Sequence, residues 1–503
     1  MNCKVYLALI LALSIGQAVQ AQQPSDKNFC GYTGYSPWLT WYQDNRAEIA
    51  QQRGSGDTTW LYAPVTVHIV GNNNGTGYFR FDQAIRVLCE MNAQYAPSHI
   101  RFYFMPGDPV QYHNNSTWYQ HDWSGGAEMI DAIYPGLEDR LNAFVVDDPA
   151  GNCGYSWKDA IVLGKGCSGP GNSTWAHEAG HHFSLPHPFY GWEGHDDYDY
   201  GSPAPDNWDG YPVERMDTSN CYEAGDRFCD TRPDYLNYRW PCDENAQSLE
   251  LQHDPNGVPF RSDGSLIMGY AYDACQSRFT DEQMEAMRTN LYTEHVQYLT
   301  TFEPGTEIAD DAWVELTSPI DSQVVQYNNF TVVWNPVPEA TMYHVQVGMT
   351  PTFSIMLYNG TIENATSVNI TKGIPNNRVL YWRVRAYNYW DVCQPDNYNQ
   401  VGVFRTHNFT ATSELEQNVS AELAPNPVAG GLPAQMLIES NDNMDVVVRV
   451  TDAAGRLCQQ QNLRLSLGQN QVEIPTANLQ AGLYIVTLEN EQGALIKRLA
   501  VTE

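Results

Sequence analysis

Residues 173–187 read Ser173-Thr174-Trp175-Ala176-His177-Glu178-Ala179-Gly180-His181-His182-Phe183-Ser184-Leu185-Pro186-His187. Residues four apart on a helix share a face, so His177 and His181 can hold one metal ion through their imidazole nitrogens. Glu178 stands beside the first of them, within reach of a water on that metal. Pro186 disfavours helical geometry in the residue before it, which puts His187 past the helix end, where a turn can swing it back as a third ligand. Three protein ligands plus a water is the open arrangement of catalytic zinc. A lone H-E-x-x-H arises by chance in roughly a few per cent of chains this rich in His. The third His at this offset makes coincidence far rarer. Ser173 or Thr174 is placed to cap the helix. His182 points away from the ligand face and is expected to be a packing or surface residue.

The 503 residues suffice for three or four domains and at least one large core. With 59 acidic against 27 basic side chains, only six of them Lys, the formal net charge is −32 and the pI is about 4.6. Such a field repels nucleic acids and anionic membrane surfaces, so no nucleic-acid partner is expected. The acidity is not that of a disordered chain, because 42% of residues are hydrophobic and 12% aromatic. The 38 Gly, 29 Pro, 31 Tyr and 14 Trp point to a loop-rich, β-rich protein.

Residues 1–21 carry one Lys, an apolar run and small residues before a cut, which predicts a secretory signal peptide. No later stretch is long and apolar enough to span a bilayer, so no transmembrane segment is expected in the mature chain. A short prosegment or linker follows at 22–60, then a catalytic domain over 61–300 and a polar linker at 301–312. Residues 313–408 alternate in strand fashion, with Val332 and Trp334 two apart and Leu380, Trp382, Val384 and Ala386 on one face. A linker at 409–422 leads to short β-runs separated by Gly, Asn and Asp over 423–503. The fold class read from this is α+β, a mixed sheet plus an active-site helix, followed by two all-β sandwiches.

The motif of 177–187 resembles that of the metzincins, H-E-x-x-H-x-x-G-x-x-H, except that Ser184 stands where the family has Gly. Ser265-Leu266-Ile267-Met268-Gly269-Tyr270 is similar to the family's Met-turn, which implies Met268 packed beneath the zinc and Tyr270 facing substrate. The order Asp273, Cys275, Phe279-Thr280, Gln283, Met287 is similar to the pappalysin branch. Strands at 63–70, 100–104, 141–147 and 159–164 and a helix at 81–95 are expected on the same grounds. The resemblance implies a Cys242–Cys275 disulfide and a calcium loop carrying Asp226 and Thr231. It also implies that Cys30, followed by Gly31, can ligate zinc and hold a precursor latent, a plain disulfide being the alternative. The Trp of an early strand and the Y-W-R-V-R-A run resemble a fibronectin type III domain. Ala424-Pro425-Asn426-Pro427, the D-x-x-G-R turn at 452–456, Gly482-Leu483-Tyr484-Ile485-Val486 and the last Lys-Arg strand resemble the C-terminal sorting domain of type IX secretion. That implies the type IX machinery as a partner, and a secreted or cell-surface location.

Ten cysteines remain after the signal, and an oxidising compartment favours their pairing. Cys153 and Cys167 flank one strand and are candidates to pair, as are Cys221 and Cys229. Cys89, on an apolar helix face, reads as a buried thiol. The function these features imply is a secreted zinc endopeptidase. Zinc lowers the pKa of its water, Glu178 takes the proton, and zinc with Tyr270 stabilises the oxyanion of a peptide substrate. The alternative is a non-catalytic, zinc-containing surface adhesin, for which the carboxylate of Glu178 has no use.

Overall fold

The computed structural model describes residues 28–30, 34–53, 57–193, 198–299, 305–393, 398–407, 415, 418–453, 455–491 and 493–502. The signal peptide, residues 301–304 of the first linker, most of the second linker and the side chain of Cys30 therefore lie outside the described residues. The chain is mixed α/β, mostly sheet with few helices, and divides into two compact units. Unit 1 holds residues 1–312 with 338–342 and 387–396; unit 2 holds the remainder.

Unit 1 is built on strands β1 (Asn28–Cys30), β2 (Leu61–Gly71), β3 (Ile100–Phe104), β4 (Val110–Asn114), β5 (Gln120–His121), β6 (Leu141–Val146), β7 (Asp148–Pro149), β8 (Asn152–Trp157) and β9 (Ala160–Gly164). Its helices are α1 (Pro37–Arg53), α2 (Phe81–Tyr95), α3 (Ser116–Tyr119), α4 (Trp123–Ile133), α5 (Thr174–His182) and α6 (Asp281–Thr293). The main sheet runs β1-β8-β9-β6-β2-β3, and β4 also pairs with β2. β2 is parallel to β3, β4 and β6, while β8 and β9 are antiparallel. Burial of both faces explains why β2 reads as a near-continuous apolar run rather than an alternation.

α2 buries Phe81, Ile85, Leu88, Met91 and Tyr95 at helical spacing against this sheet. Asn92 exchanges two buried hydrogen bonds with the backbone of Phe102, at 2.7 and 2.9 Å. Tyr95 donates to the carbonyl of Ala176 in α5 at 3.0 Å, so the sheet, α2 and the histidine-bearing helix form one layered core. α6 opens with a capping box of Thr280 and Gln283.

Two expectations need correction. Cys89 is not a thiol: it is bridged to Cys393, which lies in the stretch 387–396 that belongs to unit 1. Sequence spacing has no way to link residues 304 positions apart. The stretch 22–60 is more than a linker, because α1 buries Trp38, Leu39 and Tyr42 in the main core, and Trp38 donates to Thr293 Oγ1 at 2.8 Å. The other bridges are Cys153–Cys167, Cys221–Cys229 and Cys242–Cys275.

Unit 2 contains two β-sandwiches, each a three-stranded sheet facing a five-stranded one. In the first, Val332, Trp334, Val345, Val347, Leu380, Trp382 and Val384 are buried. The expected alternation fails at its end: Arg385 is buried and Ala386 only half-buried, where the chain passes into unit 1 at Tyr387. The second sandwich closes around Val446, Val448, Val450, Val486, Leu488, Leu499 and Val501, alternate residues of paired strands.

Candidate metal centre

α5 carries the histidine pair into the core of unit 1, and every one of its residues is buried. The Nε2 atom of His181 lies 3.1 Å from Nε2 of both His177 and His187. Each ring's other nitrogen is held: His177 Nδ1 by the carbonyl of Ile267 at 2.7 Å, His181 Nδ1 by that of Leu185 at 2.7 Å, and His187 Nδ1 by Glu193 Oε1 at 3.3 Å. Fixing one nitrogen sets the tautomer and aims the other into the cluster. Burial, and then the charge of its ring neighbours, pushes the pKa of His177 and His181 well below the usual imidazole value. Neutral imidazole is the form a metal takes.

His187 reaches the pair because the helix ends in a Schellman turn. Leu185 N–H bonds to the Gly180 carbonyl at 3.0 Å, and Ser184 N–H to that of His181 at 2.8 Å. Ser184 occupies the left-handed position at φ 71°, where Gly is usual and another residue costs roughly 1 kcal/mol. Its hydroxyl accepts from Asn290 Nδ2 at 3.3 Å, which offsets part of that cost.

Glu178 packs against β8. A Cβ on Gly154 would stand 2.7 Å from Glu178 Oε1, so this position has room only for glycine. β1 pairs in parallel with β8 with Cys30 opposite Gly154, which lays the backbone of Cys30 along the strand that borders Glu178.

Met268 lies under the helix, where a Cβ on Gly180 would collide with its sulfur. The Tyr270 ring is 4.9 Å from that of His187 and 6.1 Å from that of His177, centroid to centroid. The loop bearing both residues also holds the start of α5. Ser173 is at the cap position, but its side chain does not cap the helix. Asp273 does the work instead, accepting from Ser173 N at 3.0 Å, Ser173 Oγ at 2.8 Å and Asn172 Nδ2 at 3.3 Å. Arg239 Nη2 pairs with the same carboxylate at 3.0 Å. The Cys242–Cys275 bridge closes beside it. Asp273 stood in the sequence only as part of a resemblance; its role depends on a fold-back of a hundred residues that no local pattern announces.

The structure buries Asp226, and Thr231 Oγ1 donates to its Oδ1 at 2.8 Å. Gln283 Nε2 donates to its Oδ2 at 3.1 Å. A residue the sequence did not single out stands close by. Glu214 is buried, both its carboxylate oxygens lack a hydrogen-bond partner, and a Cβ on Gly225 would strike one of them. Burial, reinforced by Asp226 and Asp234, raises its pKa well above the usual carboxylate value. Burial also raises Asp226 to about 7 and Asp234 to about 6. The acid-rich stretch 193–210 is irregular apart from a short strand, Asn207–Trp208, paired with Tyr211–Pro212, and its residues 194–197 lie outside the described residues.

Residues 422–502 match the family described as secretion system C-terminal sorting domain. This is the sorting domain of type IX secretion, so the chain is directed to that machinery and to the cell surface or beyond. Among the described residues no helix is long and apolar enough to cross a membrane. No curated protein matches the chain. Among solved structures, the BSP domain of a biofilm-associated protein is similar at 12% identity over 38% of this chain and 30% of that one, with a TM-score of 0.17. This chain thus covers less than a third of that structure's length. The FN1–FN3 domains of chicken CNTN1 match at 10% identity, over 40% and 70% of the two chains, with a TM-score of 0.23. The β-glucosidase EmGH1 of Erythrobacter marinus matches at 12% identity, over 17% and 15%, with a TM-score of 0.14.

Proposed function

We propose that the chain is an exported zinc endopeptidase of the metzincin type, similar to the pappalysins. The observation that carries this reading is the convergence of three imidazole Nε2 atoms, that of His181 3.1 Å from each of the other two, with the next helix residue, Glu178, seated against Gly154. His177, His181 and His187 would hold the zinc, and the buried, second-nitrogen-anchored donor set fits it. Zinc, when bound, supplies Lewis acidity to water and to the scissile carbonyl. Glu178 accepts the proton of the attacking water and returns it to the leaving amine. Tyr270 faces the same centre, where its hydroxyl steadies charge developing on the carbonyl oxygen. Met268 fills the space under α5 and keeps the ligand pair in place.

Calcium fits the second buried cluster. Glu214, with neither oxygen satisfied, is the group a hard cation would relieve, with Asp226 beside it. As placed, the Thr231 hydroxyl is spent on Asp226 and the Phe228 carbonyl, so Thr231 shapes the loop more than it donates to a cation. β1 occupies the edge of β8 next to Glu178, which supports a latent precursor in which the Cys30 segment blocks the site. The sandwich of 316–407 reads as a fibronectin type III-like spacer.

The test is cleavage of a denatured protein by the processed chain, with and without a zinc chelator. Glu178→Ala should lower turnover by about 10²–10⁴-fold or more while leaving zinc content intact. Zinc retained together with full activity in that variant would exclude the mechanism. No cleavage by any form would instead favour a binding protein.

A further inference from the structure

We propose that Asp159, His182 and His295 form a second zinc site, separate from the three histidines of the candidate centre. Asp159 sits in the turn between β8 and β9, His182 is the last residue of α5, and His295 follows α6. One donor atom from each lies within 4.8 Å of the others. The imidazoles of His182 and His295 are face to face, 4.3 Å apart at 21°. His295 Nδ1 is 3.3 Å from Asp159 Oδ1.

Burial and anchoring of these side chains support a metal site. Nδ1 of His182 and Nδ1 of His295 are both buried and neither makes a well-aligned hydrogen bond, while the two rings lie against the backbone of Lys158 and of His182 and His295 Nδ1 faces Asp159. The remaining atoms are anchored as ligand-supporting groups are. His182 Nε2 is held by the Tyr298 hydroxyl at 3.1 Å, and Tyr134 donates to the other oxygen of Asp159. One ligand atom of each of the three side chains thus stands within reach of a single ion after a small rotation of the rings.

Two nitrogens and one oxygen suit zinc, with water as a fourth ligand. His182, though neither Asp159 nor His295, lines a cavity of about 890 Å³ together with His181, Tyr155, Trp157, Lys158 and Ser184. The Asp159 side chain is about a quarter exposed. A metal here would bolt the end of α5, one residue past His181, to the β8–β9 turn and to the segment after α6. It would act as a structural clamp on the ligand-bearing helix.

The experiment is zinc titration of the chelator-stripped full chain against a chromophoric competitor, with the thermal midpoint read in parallel. The wild type should bind two equivalents. His295→Gln and the milder Asp159→Asn should each bind one fewer while remaining folded by circular dichroism. A His177→Gln/His187→Gln double variant should keep one equivalent and still gain thermal stability on adding zinc. Adding His295→Gln to it should abolish both responses. Wild-type stoichiometry in Asp159→Asn and His295→Gln, or no zinc bound by the double variant, overturns the second site. Unchanged zinc in the double variant alone would count against the catalytic centre and leave this site standing.

Discussion

Gly154 shows how narrowly a single residue can be constrained. Its backbone belongs to the sheet, yet its missing side chain is what lets the Glu178 carboxylate lie where it does. Gly154→Ala should therefore fold and bind zinc but lose kcat, because the methyl group and the carboxylate claim the same space. Equal kcat/KM in the two proteins would refute it. Asp273 is constrained for a different reason, as the anion at the start of α5 and the partner of Arg239. Asp273→Ala leaves Arg239 and the Ser173 N–H without that acceptor, and should cost about 3–5 kcal/mol in urea unfolding. A loss under 1 kcal/mol would show that solvent replaces it. At this scale the sequence was most legible where helical spacing alone brings side chains together, as in His177 and His181. Ser184 tested that reading. The left-handed geometry survives without Gly because Asn290 bonds the hydroxyl, a contact across more than a hundred residues.

Among the elements, those with a strong local period stood out in the sequence. α2 spans 81–95 as expected, and β2 extends the expected strand by two residues at its start and one at its end. α1 was missed because its apolar residues cluster in its first turns and the remainder is polar, so no helical stripe marks it. Its packing has a practical consequence. A cut between Cys30 and Pro37 removes β1 but keeps Trp38, Leu39 and Tyr42 in the core. A chain starting at residue 34 should be as stable as the precursor and more active. A chain starting at residue 58 loses three buried side chains at about 1.5–3 kcal/mol each, and should melt well below it. Matching thermal midpoints for the two would disprove the role given to α1.

For the whole molecule, the net charge of −32 includes carboxylates that the fold holds inside. Asp226 has a folded pKa of about 7 against an ordinary 3.8, owing to burial. The unfolded chain loses that proton first, so without a cation stability should fall as pH rises from about 4 to about 7. The loss should be on the order of 4 kcal/mol for this group, with Glu214 and Asp234 pulling the same way. Calcium should flatten that slope. Denaturant unfolding at several pH values, in chelator and in calcium, would show it; parallel curves would remove calcium from the cluster.

The bridge between Cys89 and Cys393 bears on how the protein leaves the surface. A protease that nicks the chain anywhere between these two cysteines severs the backbone but not the molecule, since the sulfur link still joins the pieces. Cutting the polar stretch at 301–312 would thus free nothing outside the cell. Only a break after Cys393, such as in residues 408–418 ahead of the strand Val419–Ala424, detaches unit 1 from its sorting domain under oxidising conditions. Shedding and anchoring are decided downstream of a single covalent knot.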